Sequence, residues 1–110
     1  MAQTNVQPAT GKLGLMIVGN GAVATTFMAG VLMARKGLAK PVGSMTQYDK
    51  IRVGKGKDAK YLSYSEIVPM ASLNDIVFGT WDVYPQSAFE SAVNAEVLRA
   101  KDILPVQDEL

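Results

Sequence analysis

The residues Gly19-Asn20-Gly21-Ala22-Val23-Ala24 fit the spacing Gly-x-Gly-x-x-Gly/Ala, a pattern suited to seating a pyrophosphate. Gly19 permits a tight turn, and Gly21 removes the side chain that would bar close approach of an anion. Ala24 keeps a helix near a strand, and the helix N-terminus offers backbone N–H groups. The chemistry implied is dinucleotide binding. The competing reading is a glycine turn that only makes a compact strand-to-helix connection. A dinucleotide site also needs an acid for the adenosine ribose, ordinarily about 20 residues on. The window near Ser44 holds none. If residues 40–74 are an insertion, the second strand becomes 75–79, and the acid just past its carboxyl end is Asp82. A carboxylate there would accept from the ribose hydroxyls. The absence of Arg and Lys over 76–98 favours NAD over its 2′-phosphorylated form. On spacing alone, a turn or cap aspartate is an equal reading of Asp82. Trp81 reads first as a core or cleft-wall aromatic, ahead of a stacking platform.

The flanking elements must place these residues. Leu13–Val18 is almost wholly apolar with no polar alternation, as expected for a parallel strand covered on both faces. Helical spacing follows from Ala22, with Val23, Phe27, Gly30, Val31 and Ala34 on one stripe; Arg35, Lys36 and Gly37 supply a cationic last turn and a glycine cap. Residues 44–53 are expected to form a strand, with 54–57 as a turn and 61–64 as the returning strand of a basic hairpin. Residues 75–79 repeat the buried-strand character, running on to Trp81 and Asp82. Ser87 and Glu90 have capping-box spacing, while Phe89, Val93 and Val97 lie four apart, so a helix is expected over about 88–100, stopped by Pro105. The fold class expected is α/β: a partial Rossmann-like parallel sheet with a hairpin insertion. Residues 1–11 read as a flexible leader, 12–102 as the nucleotide-binding unit and 103–110 as a tail.

Composition narrows the rest. A chain of 110 residues fits one domain, and 48% apolar with 19% charged residues is ordinary for a globular protein. With neither Cys nor His, there is no disulfide framework, thiol chemistry, imidazole base or common zinc ligand, and no metal site is expected. A formal charge of +1 gives no general argument for nucleic acid or a membrane surface. The run 50–60 holds Lys50, Arg52, Lys55, Lys57 and Lys60 against Asp58, yet it carries no RNA-binding signature and reads as a solvated turn. The spacing of a P-loop is missing from 54–57. No signal peptide is evident, so the terminal Gln107-Asp108-Glu109-Leu110 is not read as an ER-retention signal and the cytoplasm is expected. The weakly polar stretch 22–34 is too short to span a bilayer. No catalytic constellation emerges: there is no nucleophile paired with a base and no informative carboxylate pair.

Three ordered blocks, KLGLMIVGNGAVATTFMAGV, GLAKPVGSMTQ and ASLNDIVFGTWDVYP, together resemble the N-terminal NAD-binding region of inositol-3-phosphate synthase (myo-inositol-1-phosphate synthase), particularly its bacterial forms. The resemblance covers about residues 12–100. It implies an isomerase that converts glucose 6-phosphate to inositol 3-phosphate with tightly held NAD, which is reduced and then reoxidised within the cycle. It also implies that Gly19, Asn20, Gly21, Ala22 and Val23 line the pyrophosphate. Asp82, in the block that the family writes Gly-Gly-Trp-Asp, would hold the adenosine ribose. Thr80 stands in place of that block's second glycine and is expected to narrow the cofactor cleft. Family members are several times longer, so the groups that bind the sugar phosphate are expected outside this sequence. The chain is expected to be a fragment or a short paralogue, inactive alone. Its partial sheet leaves an apolar face and an edge exposed, from which a homo-oligomer or marginal stability is expected. The alternatives are a noncatalytic nucleotide-binding or interaction module and part of another NAD-dependent oxidoreductase.

Overall fold

The computed structural model describes residues 5, 7, 8 and 10–110; residues 1–4, 6 and 9 of the expected leader lie outside the described residues. Strand β1, Leu13–Val18, is followed by the 14-residue helix α1, Ala22–Arg35. Two short helical turns, α2 (Met45–Tyr48) and α3 (Tyr64–Ile67), flank an antiparallel hairpin of β2 (Lys50–Val53) and β3 (Lys60–Ser63). Strand β4, Ile76–Trp81, then runs parallel to β1 and in register from Leu13↔Ile76 to Val18↔Trp81. Helices α4 (Ala88–Ala95) and α5 (Ala100–Ile103) and a 3-10 turn at Leu104–Val106 complete the chain. Strand, glycine turn, helix and parallel strand, with a hairpin between helix and strand, is the partial Rossmann-like order expected from sequence. Among the described residues, no helix is long and apolar enough to cross a membrane.

Helix α1 covers one face of the β1–β4 sheet. Phe27 meets Phe78 edge-on, with ring centroids 5.8 Å apart. The Arg35 guanidinium donates to the carbonyls of Leu73 and Ile76 and lies over the Phe78 ring, tying the end of α1 to the start of β4. Leu38 N–H donates to Met33 O and Gly37 N–H to Ala34 O, the two bonds of a Schellman cap. Gly37 carries the positive φ of +69° that the cap requires.

The buried stripe of α1 is Thr25, Met28, Ala29, Val31 and Leu32, with Val31 alone shared with the expected set. Val23 is 84% exposed, and Phe27 and Gly30 are also exposed. The helix is apolar over most of its circumference, so periodicity could not select the side that packs. That side is fixed by Ala92, Ile103 and Val106, which join Ala29 and Leu32 in the core. Residues 103–110, read from sequence as a tail, thus supply two of the most deeply buried side chains, and Leu110 packs beside them.

Two further expectations are corrected. The expected strand 44–53 begins at Lys50, because the Ser44 carbonyl accepts the N–H groups of Gln47 and Tyr48 and winds 45–48 into a turn. The expected helix 88–100 has the start set by Ser87 and Glu90 but ends at Ala95, where Glu96 adopts φ +56°, ψ +22°. The break lets the chain fold back so that Ile103 and Val106 reach the core. It also removes Val97 from the helix and leaves it exposed beside Val23.

Candidate functional site

The parallel register brings the ends of β1 and β4 side by side, and with them the glycine turn and Asp82. Gly19 sits at φ +90°, a conformation that side-chain-bearing residues avoid, and its N–H donates to Trp81 O at 2.7 Å. The Asn20 N–H donates to Asp82 Oδ2 at 2.7 Å across 62 residues of sequence. The other carboxylate oxygen, Oδ1, accepts from Tyr84 N–H at 3.0 Å. These backbone donors, Asn20 first, hold the Asp82 carboxyl below its ordinary pKa because they favour its charged form.

Gly21 is the N-cap of α1, with φ −76° and ψ −174°, extended backbone open to any residue. Conformation therefore does not explain this glycine. A Cβ placed on it would meet nothing within 4 Å, so a glycine here keeps clear the space in front of the helix. The cap has no side chain to accept the N–H groups of the first turn, and Ala22, Val23 and Ala24 bring no acid. Neither the cap nor an acid of this turn therefore supplies those donors with a side-chain acceptor.

The next residue, Thr25, is fully buried, and its hydroxyl donates back to Gly21 O at 2.9 Å. Ala24, expected to keep helix and strand close, is itself half-buried. Thr25 was missed in sequence. The only signal was a threonine inside an apolar helical run, four residues after the cap it bonds.

Thr80 lies on the α1-facing side of β4 with Ile76 and Phe78, by strand alternation, and is half-buried. Trp81 falls on the opposite side and is 65% exposed. Among the described residues, Lys50, Arg52, Lys55, Lys57 and Lys60 of the basic hairpin form no ion pair.

A dinucleotide fits these residues on three counts. These are free space over Gly21, an uncapped first turn of α1, and the absence of any acid from that turn. Asp82 retains acceptor capacity, since a carboxylate offers about four lone-pair sites and two N–H groups occupy only part of them.

The family model described as myo-inositol-1-phosphate synthase, an NAD-binding domain, matches residues 13–110. The chain belongs to the myo-inositol-1-phosphate synthase family. The matched stretch is that family's NAD-binding region, and its cofactor is NAD. Inositol-3-phosphate synthase 1 of Bacteroides thetaiotaomicron is 51% identical over 106 residues, 96% of this chain and 24% of the relative. Inositol-3-phosphate synthase 1 of Oryza sativa subsp. japonica is 38% identical, covering 79% of this chain and 19% of the relative. The crystal structure of inositol-3-phosphate synthase from Caenorhabditis elegans superposes with a TM-score of 0.73 at 20% identity, over 86% of this chain and 21% of that one. At that identity the match shows the shared fold. The chain spans about a quarter or less of the length of these relatives.

Proposed function

We propose that this chain holds NAD as the cofactor-binding part of an inositol-3-phosphate synthase. The pyrophosphate would lie over Gly19, Asn20 and Gly21, against the N–H groups of Ala22, Val23 and Ala24, with Asp82 accepting from the adenosine ribose. The carrying observation is the Asn20–Asp82 hydrogen bond, which puts the one acid at the end of β4 beside an uncapped, acid-free helix terminus. Bound there, NAD would supply reversible hydride acceptance for conversion of glucose 6-phosphate to 1D-myo-inositol 3-phosphate. This chain's residues would bind and orient the cofactor. The sugar phosphate would be bound by the portion of the family that this chain does not match, so the chain is expected to be inactive alone.

The binding unit extends from about residue 12 past residue 102, since Ile103 and Val106 are buried with Ala29 and Leu32. Its setting would be the cytoplasm, as sequence led us to expect. A homo-oligomer is supported by the uncovered sheet face, where Met16 and Val18 are each 74% exposed in line with Val77 and Trp81.

Calorimetric titration with NAD tests the cofactor role on the wild type and on Gly21→Val. The variant adopts an accessible backbone conformation and fills the space in front of the helix. Saturable binding in the wild type and its loss in a folded Gly21→Val is expected. Equal binding by both would remove the pyrophosphate from the turn.

A further inference from the structure

We propose that Asp82 is a positioning residue for the glycine turn, holding it in its anion-accepting shape before a ligand arrives, separately from any contact with a ribose. The inference rests on the turn being the cofactor's pyrophosphate site. Gly19 and Asn20 present consecutive N–H groups to consecutive acceptors at the end of β4, the Trp81 carbonyl and the Asp82 carboxylate, both at 2.7 Å. The Trp81 contact continues the backbone pairing of the two strands and survives any side-chain change. The Asp82 contact does not.

Without the carboxylate, the N–H of Asn20, a residue only 9% exposed, loses its acceptor. The Tyr84 N–H on the other oxygen fixes the rotation of the carboxylate, so the acceptor is already aimed. With Gly19 turned to φ +90° and Asn20 tied inward, the chain enters Gly21 extended and the first-turn N–H groups of α1 face outward. Ligand binding then needs little reordering of the turn.

Simple charge repulsion predicts the opposite of this clamp. A carboxylate beside an anion site repels the anion, so its removal should tighten anion binding. Loss of the clamp should weaken it. Inorganic pyrophosphate separates the two, because it has no ribose for Asp82 to contact. Pyrophosphate is titrated against wild type, Asp82→Ala and Asp82→Asn, with amide hydrogen exchange of Asn20 read by NMR in the same proteins. For Asp82→Ala a loss of roughly tenfold in pyrophosphate affinity is expected, the scale of one charge-assisted hydrogen bond. Asn20 exchange should be faster at unchanged exchange of the β1 amides. Asp82→Asn keeps one oxygen for one of the two N–H groups and should fall between, which preserves the test if Asp82→Ala does not fold.

Unchanged or tighter pyrophosphate binding by the variants, with wild-type Asn20 exchange, would overturn the clamp and leave the cofactor reading standing. A folded wild type that binds no pyrophosphate would overturn both.

Discussion

At φ +90°, Gly19 holds a conformation that most residues adopt only at a cost of about 1–3 kcal/mol, whereas Gly21 is extended and faces open space. Gly19→Ala is therefore expected to destabilise the fold by about that amount in guanidinium unfolding. Gly21→Ala should stay within about 0.5 kcal/mol of wild type while weakening NAD binding. A reversed ranking would show that the two glycines have exchanged roles. The pair was legible in sequence because its spacing is local. The Asp82 position was legible only after an insertion was assumed, and its bond to Asn20 was not, because that bond depends on strand register. Acid sensitivity follows from the same bond. The Asp82 carboxyl is held low by the Asn20 and Tyr84 N–H groups, so its stabilising contribution is complete above the ordinary carboxylate range of about pH 4. That contribution is lost as pH falls through the depressed value. Asp82→Asn should consequently show a shallower loss of stability on acidification, measured as unfolding midpoint against pH. A parallel acid limb in both proteins would count against the contact.

Helix α4 shows where element-level reading succeeds and where it stops. Ser87 Oγ accepts the Glu90 N–H at 3.1 Å, and the Glu90 carboxylate accepts the Ser87 N–H at 2.8 Å. The Ser-x-x-Glu spacing announced that start. Ser87→Ala should cost about 1 kcal/mol. The end was hidden, since its left-handed cap is a glutamate instead of the usual glycine. Glu96→Gly is expected to stabilise the protein by roughly 0.5–1 kcal/mol, because glycine adopts this left-handed cap without strain, and a lowered thermal unfolding midpoint would refute it. The same Ser-x-x-Glu signal stands at Ser63 and Glu66, where the carboxylate takes the Ser63 N–H at 2.7 Å. The strand-like residues Tyr61 to Tyr64 mask it in the sequence, since β3 ends at Ser63 and the helical turn starts at Tyr64. On α1 the difficulty was of another kind. An almost uniformly apolar helix carries no periodic contrast, and its buried stripe is chosen by partners distant in the chain.

For the whole molecule, the sheet has one face under α1 and one bare. Gly14, Met16 and Val18 align with Val77, Gly79 and Trp81 across the bare face. Parallel sheets are ordinarily covered on both sides, so this face is expected to draw the chain into self-association. Sedimentation should show concentration-dependent assembly accompanied by a blue shift of Trp81 emission, and Val18→Asp should shift the balance to monomer. A wild type that stays monomeric with red emission at high concentration would refute it. The strand pairing also sets an order of events in time. The two strands that bring the glycine turn to Asp82 are separated by α1 and the whole hairpin, and the Asn20–Asp82 bond joins residues 62 positions apart. Helix α1 and the hairpin can form from local contacts, but the turn cannot acquire its acceptor until residues beyond 80 are available. Loop closure of that span is the slow step expected of the chain. In refolding, helical signal should thus precede the change at Trp81, and a ribosome-bound chain ending short of Asp82 would carry the glycine motif without a site.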